Sequence, residues 1–182
     1  MTRATVSKAV TWGLLAAWAA NDLEELATMA GWARSARPEL RKRLPRVPER
    51  VWARMELSQR EVAVAIGLVG VVMAAASADG ARTGGRSPFF RTVLVGFGAH
   101  GVVHLAQSLA YRGYTPGVVT APTVVVPYSV WAVRRLRAAG VEVGGTGTTA
   151  AASALLPLIV AGAHGLARGI TGAHRRGDGA PR

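Results

Sequence analysis

Thr92 to Tyr111 reads TVLVGFGAHGVVHLAQSLAY, twenty residues without one Asp, Glu, Lys or Arg, yet with His100, His104, Gln107, Ser108 and Tyr111 inside it. A helix needs ~20 mainly apolar residues to cross ~30 Å of hydrocarbon, so this stretch is predicted to span a membrane. Working outward, three further runs lack those four residue types: Gly113 to Val133 (21 residues), Val143 to Ala167 (25) and the shorter Val62 to Ala78 (17). Four such runs in 182 residues, half of them hydrophobic and only 18% charged, argue against a water-soluble domain.

A fifth span is predicted over Ala9 to Ala33, AVTWGLLAAWAANDLEELATMAGWA, apolar at both ends with Asn21, Asp22, Glu24 and Glu25 at its middle. Three of the ten acids of the protein therefore fall where acids are least welcome. Arg3, Lys8 and the apolar run to Ala20 also have the layout of a signal peptide cleaved near Ala20. Helix formers that continue through Leu26 and Met29 to Trp32 favour the span. The expected fold is an all-α polytopic membrane bundle, a single domain over 1–171 with spans near 9–33, 62–79, 90–111, 114–133 and 149–169, followed by a disordered tail at 172–182.

Residues 34–60 carry nine Lys or Arg and three prolines, and are expected to form an interfacial loop with a short amphipathic helix over 48–59. Beside membrane spans such a run is a topology determinant and a seat for anionic headgroups, so no nucleic acid is expected. Counting Lys and Arg on alternate sides of five spans gives 14 on the side of this loop and 8 on the other. The positive-inside rule then puts the amino terminus outside and the carboxyl terminus in the cytoplasm of a multi-pass cell-membrane protein.

On a helix, His100, His104, Gln107, Ser108 and Tyr111 fall within one stripe of its surface. Asn21, Glu24, Glu25 and Met29 share a face of the first span, with Asp22 turned about 100° from Asn21. The last span adds His164 and, one turn later, Arg168. Spans one, three and five run in the same direction, and Glu24, Glu25, His104 and His164 fall within about 6 Å of depth at ~1.5 Å per residue, so they can meet in one layer. The bland alternative is structural glue, hydrogen bonds between helices that do no chemistry.

These residues carry a likeness. NDLEE within AAWAANDLEELATM, then HGVVHLAQSL, then YRGYTPGVVTAPTVVVP together resemble the HXXEE family, multi-pass membrane proteins named for a His-x-x-Glu-Glu motif in the first helix. The resemblance covers roughly residues 9–136 and implies an integral membrane bundle with Glu24, Glu25, His100 and His104 on the family's polar positions. The histidine of the motif is Asn21 here, which weakens a mechanism needing a ligand at that place.

Cysteine is absent, which removes thiolate nucleophiles, iron–sulfur clusters and Cys-ligated zinc. A metal, zinc or non-haem iron, would have to use Glu24, Glu25, His100 and His104, with His164 as a further ligand. The preferred reading has no cofactor. A buried carboxyl group beside histidines makes an acid and base pair, here Glu24, Glu25, His100 and His104, with Asn21, Gln107, Ser108, Tyr111, His164 and Arg168 around it. Such a pair inside a bilayer implies a lipophilic substrate, a lipid or isoprenoid, and a reaction such as isomerisation or cyclisation, with Trp18, Tyr111 and Tyr128 as aromatic walls. The rivals are a metal-dependent membrane enzyme and a non-catalytic accessory, lipid-binding or proton-relay protein. An enzyme needs a cavity that reaches the Glu and His layer, and packed glue would have none.

Pro116, Pro122 and Pro127 mark the fourth span as bent, a cavity wall or gate. Gly67, Gly70, Gly96, Gly98, Gly101 and the Gly165/Gly169 pair allow close backbone approach, within the bundle or between protomers of a homo-oligomer.

Overall fold

The computed structural model describes residues 6–177, whose regular elements are all helices with no strand among them. In chain order the elements are α1 (Lys8–Arg43), α2 (Glu49–Ala53), α3 (Gln59–Arg82), α4 (Pro88–Tyr111), a π-helical turn (Ala121–Val125) that runs into α5 (Val126–Ala138), and α6 (Thr146–Gly177). The last five residues of the tail, 178–182, lie outside the described residues, and 172–177 continue α6.

Among the described residues two helices, α3 and α4, combine the length and the apolarity needed to cross a membrane. Each has 24 residues, ~36 Å at ~1.5 Å per residue, against ~30 Å of hydrocarbon. Two of the other predicted spans differ from them in make-up. Helix α1 holds Asp22, Glu24 and Glu25 at mid-length, and α5 has only 13 regular residues and ends on Arg135 and Arg137.

Three boundaries depart from the sequence expectation for physical reasons. Helix α1 does not stop at Arg34 but runs through the basic segment to Arg43, with Pro38 inside it. Its last turn holds Arg41, Lys42 and Arg43, where cations favour the helix dipole. The amphipathic helix is five residues, not twelve, because Ser58 and Glu61 form a capping box that starts α3. The fourth span begins late: Tyr114 to Val119 form a turn around Gly117 (φ 83°) before winding resumes. Pro127 cannot donate to the carbonyl one turn back, and the chain meets this by widening to a π turn in which Val126 N–H donates to Ala121.

Short polar caps set the helix ends. Ser87 caps α4 ahead of Pro88, while its hydroxyl also donates to Asp79, which is paired with Arg82 at the end of α3. The apolar core lies at this end of the bundle, where Val10, Leu14, Phe90, Leu94, Val125 and Leu136 pack together. Gly70 and Gly98 permit close approach to Trp18 and Ser129, whereas a Cβ added at Gly67, Gly165 or Gly169 would meet no other described residue within 4 Å.

Candidate functional site

Helices α1 and α4 bring the two polar clusters together on one oxygen. Glu25 Oε1 accepts a hydrogen bond from Asn21 Nδ2 at 2.9 Å and lies 3.0 Å from His104 Nε2 and 3.6 Å from His100 Nε2. The two imidazole Nε2 atoms are 2.8 Å apart, with the rings edge to face at 4.2 Å between centroids. Asn21, Glu25 and His104 are buried, and His100 is the most open member, with 27% of its side chain accessible. Two nitrogens at 2.8 Å cannot both carry a proton on the line between them, so at most one of them is a donor there, and either a proton or a metal ion can satisfy the pair.

The two adjacent glutamates part company, because successive helical side chains point about 100° apart. Glu24 turns to the segment after α4: its carboxylate accepts from Tyr114 Oη (2.8 Å), Thr120 N (2.9 Å), Thr120 Oγ1 (2.7 Å) and Val119 N (3.3 Å). Glu24 is thus a clamp on the Gly117 turn, and the structure does not bring it to the histidines. The Thr120 hydroxyl also lies 3.0 Å from Asn21 Oδ1, tying the clamp to the cluster. Thr120→Val is therefore expected to cost about 1.5–3 kcal/mol of stability, the worth of a hydrogen bond to a charged group. Thr123→Val, which loses one exposed bond to the Val119 carbonyl, is expected to cost under about 1 kcal/mol in the same thermal unfolding of detergent-solubilised protein.

A cavity of about 690 Å³ opens onto the cluster. Its α1 wall is the stripe Trp18, Asp22, Glu25, Met29 and Trp32, spaced by 4, 3, 4 and 3 residues. That grouping corrects the sequence reading, which aimed Asp22 away from the site and put Glu24 on its face. The heptad-like spacing was the available signal. Gln107, Tyr111, His164 and Trp18 line the cavity. Ser108 instead donates to the Gly113 carbonyl (2.6 Å), Arg168 donates to the Arg54 carbonyl and lies 3.7 Å from Glu61, and Tyr128 donates to the Val10 carbonyl (2.7 Å). Of the three prolines, Pro116 lines the cavity, next to Thr115.

Glu25, His100 and His104 offer three ligand atoms within 4.8 Å of one another, a set able to hold a metal. Two histidines one helical turn apart with a carboxylate from a second helix suit zinc or non-haem iron. One observation weighs on the other side. His104 Nδ1 is buried without a hydrogen-bond partner among the described residues, pressed against Gly117. A ligating imidazole normally donates its second N–H to an acceptor. Here that proton would be buried without an acceptor, at ~1–3 kcal/mol, which favours the tautomer with its proton on Nε2, facing Glu25.

A family model described as "Protein of unknown function with HXXEE motif" matches residues 12–132. The chain belongs to the HXXEE family. Its motif helix is α1, and the matched region takes in the whole Glu25, His100 and His104 cluster together with the Glu24 clamp. In this HXXEE protein the motif histidine is Asn21, an amide that cannot titrate but still orients Glu25. No curated protein and no solved structure matches the chain.

Proposed function

We propose that the protein is a five-span integral membrane bundle, amino terminus outside and carboxyl terminus cytoplasmic, and a small enzyme acting on a lipophilic substrate by proton transfer. The observation that carries this is the cavity of about 690 Å³ with Glu25, His100 and His104 in its wall, within the ~300–1,000 Å³ of small-molecule sites. Helices held together by polar glue alone need no such space. The outer surface supports the bilayer: Val71, Val102, Leu109 and Leu158 are each more than half exposed.

In this reading His104 holds a proton on Nε2 against Glu25, and His100, the most open member, faces the substrate. One imidazole gives a proton to the substrate while the carboxylate or the second imidazole accepts one from a neighbouring carbon, as in an isomerisation or cyclisation. The apolar wall excludes water from the charged intermediate. A metal-dependent enzyme is the second reading, favoured by the convergence of three ligand atoms; zinc or non-haem iron would then take the place of the shared proton. A non-catalytic lipid-binding or proton-relay protein is the third, and the homo-oligomer through small-residue faces stays with these proposals.

The test is metal and lipid analysis of detergent-purified protein, wild type beside Glu25→Gln and His104→Ala. The expected result is no stoichiometric metal, with a lipophile retained by the wild type through exchange into lipid-free detergent. Stoichiometric zinc or iron lost from both variants would replace proton transfer by metal catalysis. Neither metal nor lipophile would favour the non-catalytic reading.

A further inference from the structure

The cavity is long, and its charges are sorted along it. On α4 its lining runs from Val93 to Tyr111, 18 residues or ~27 Å at ~1.5 Å per residue. The two lining carboxylates, Asp22 and Glu25, belong to the mid-length stripe of α1 that meets His100 and His104. Beyond them, Val69, Met73, Val93 and Phe97 form a wholly apolar end. Among the described residues the two lining arginines, Arg43 and Arg54, both come from the basic segment at the opposite end, which also supplies Leu44, Met55 and Leu57. The segment read from sequence as a surface loop is thus the floor of the cavity.

The two arginines are not equally committed. Arg43 donates to the Tyr111 carbonyl (3.0 Å) and to Glu39 (3.0 Å), with its guanidinium 5.7 Å over the Tyr111 ring. Arg37 and Arg41 nearby are taken up by Glu49 and Glu56. Arg54, an exposed residue that lines the cavity, has no side-chain hydrogen bond or ion pair among the described residues, so its five N–H donors are uncommitted. A planar fork of donors matches a phosphate or carboxylate in two-point geometry.

We infer that the cavity takes a single-chain amphiphile with an oxyanion head, held by Arg54 beside Arg43, its chain running past His100 and His104 to the apolar end. This deepens the lipophilic-substrate reading and rests on it. A volume of 690 Å³ spread over ~27 Å is a mean cross-section of about 26 Å², room for one chain. The seven residues from His104 to Tyr111 put the acid and base pair ~10 Å from the head at ~1.5 Å per residue. Phosphate and carboxylate share this chemistry.

Trp18 and Trp32 line the cavity and report its contents by fluorescence. Four C16 probes brominated at mid-chain, hexadecyl phosphate, palmitate, hexadecanol and hexadecylamine, are titrated into the detergent-solubilised full chain and read by tryptophan quenching. One or both oxyanions are expected to bind at least tenfold more tightly than the alcohol, and the ammonium most weakly. The stronger oxyanion names the head. Arg54→Gln is expected to weaken that probe at least fivefold and leave hexadecanol within twofold. Arg46→Gln, a cation of the same segment that does not line the cavity, is expected to leave both unchanged. Equal binding of alcohol and oxyanions, or equal losses in Arg54→Gln and Arg46→Gln, would overturn the head assignment while leaving a lipophile site. No binding by any probe would overturn both.

Discussion

Gly117→Val is expected to destabilise the protein by about 3 kcal/mol or more and to separate His104 from Glu25. Gly117 has φ 83°, a left-handed conformation that costs an L residue ~1–2 kcal/mol and a β-branched one more. A Cβ there would stand 2.4 Å from His104 Cε1 and 2.6 Å from Nδ1. The ring is buried and held against Glu25, so relieving the clash drives it off that carboxylate toward the cavity, and the overpacking adds ~1–3 kcal/mol. Gly113→Ala, in the same connection, is the control. Its Cβ would meet the Tyr111 ring at an ordinary 3.5 Å and its φ is not positive, so it should stay within about 0.5 kcal/mol of wild type. Thermal unfolding of both variants in detergent decides it, and similar midpoints would mean the turn does not press on His104.

The second large effect is expected at Glu25. Glu25→Ala removes the acceptor for Asn21 Nδ2 and the partner of His104, leaving buried polar groups unpaired, and should cost about 3–5 kcal/mol. His104→Leu should restore part of that loss when combined with it, because a buried imidazole without its carboxylate is itself a burden. The double variant is therefore expected to be more stable than the sum of the single losses by about 0.5–3 kcal/mol, the range for residues in contact. Strict additivity would show that the two side chains do not meet. Glu25→Gln keeps an acceptor for Asn21 and should cost less than the alanine, which separates the hydrogen bond from the charge.

The sequence made the helical class legible because charge-free runs of 17 to 25 residues leave few other choices. The pairing of Glu25 with the α4 histidines was legible in outline from depth and helix phase. Glu24 was misread for a local reason. Its partners, Tyr114 and Thr120, lie some ninety residues away on a turn whose shape depends on Gly117, and no periodicity along α1 reports such a turn. Asp22 was legible and overlooked, since the spacing of Trp18, Asp22, Glu25, Met29 and Trp32 marks one helical face. The role of the basic segment was not legible. Charge density predicts a surface, and only the continuation of α1 to Arg43 and the short α2 show that it folds over the cavity.

The π turn at Ala121–Val125 divides the helix that contains it into two phases. Upstream, Thr120 faces Glu24 and Asn21; downstream, Ser129, Ala132 and Leu136 face the interior. A π turn carries one residue more than regular winding, so removing one residue between 121 and 125 would restore an unbroken α-helix and rotate one phase against the other by about 100°. Either Thr120 would leave the clamp or Leu136 would leave the core. The number of residues in this turn, more than their identity, is what lets a single helix serve both.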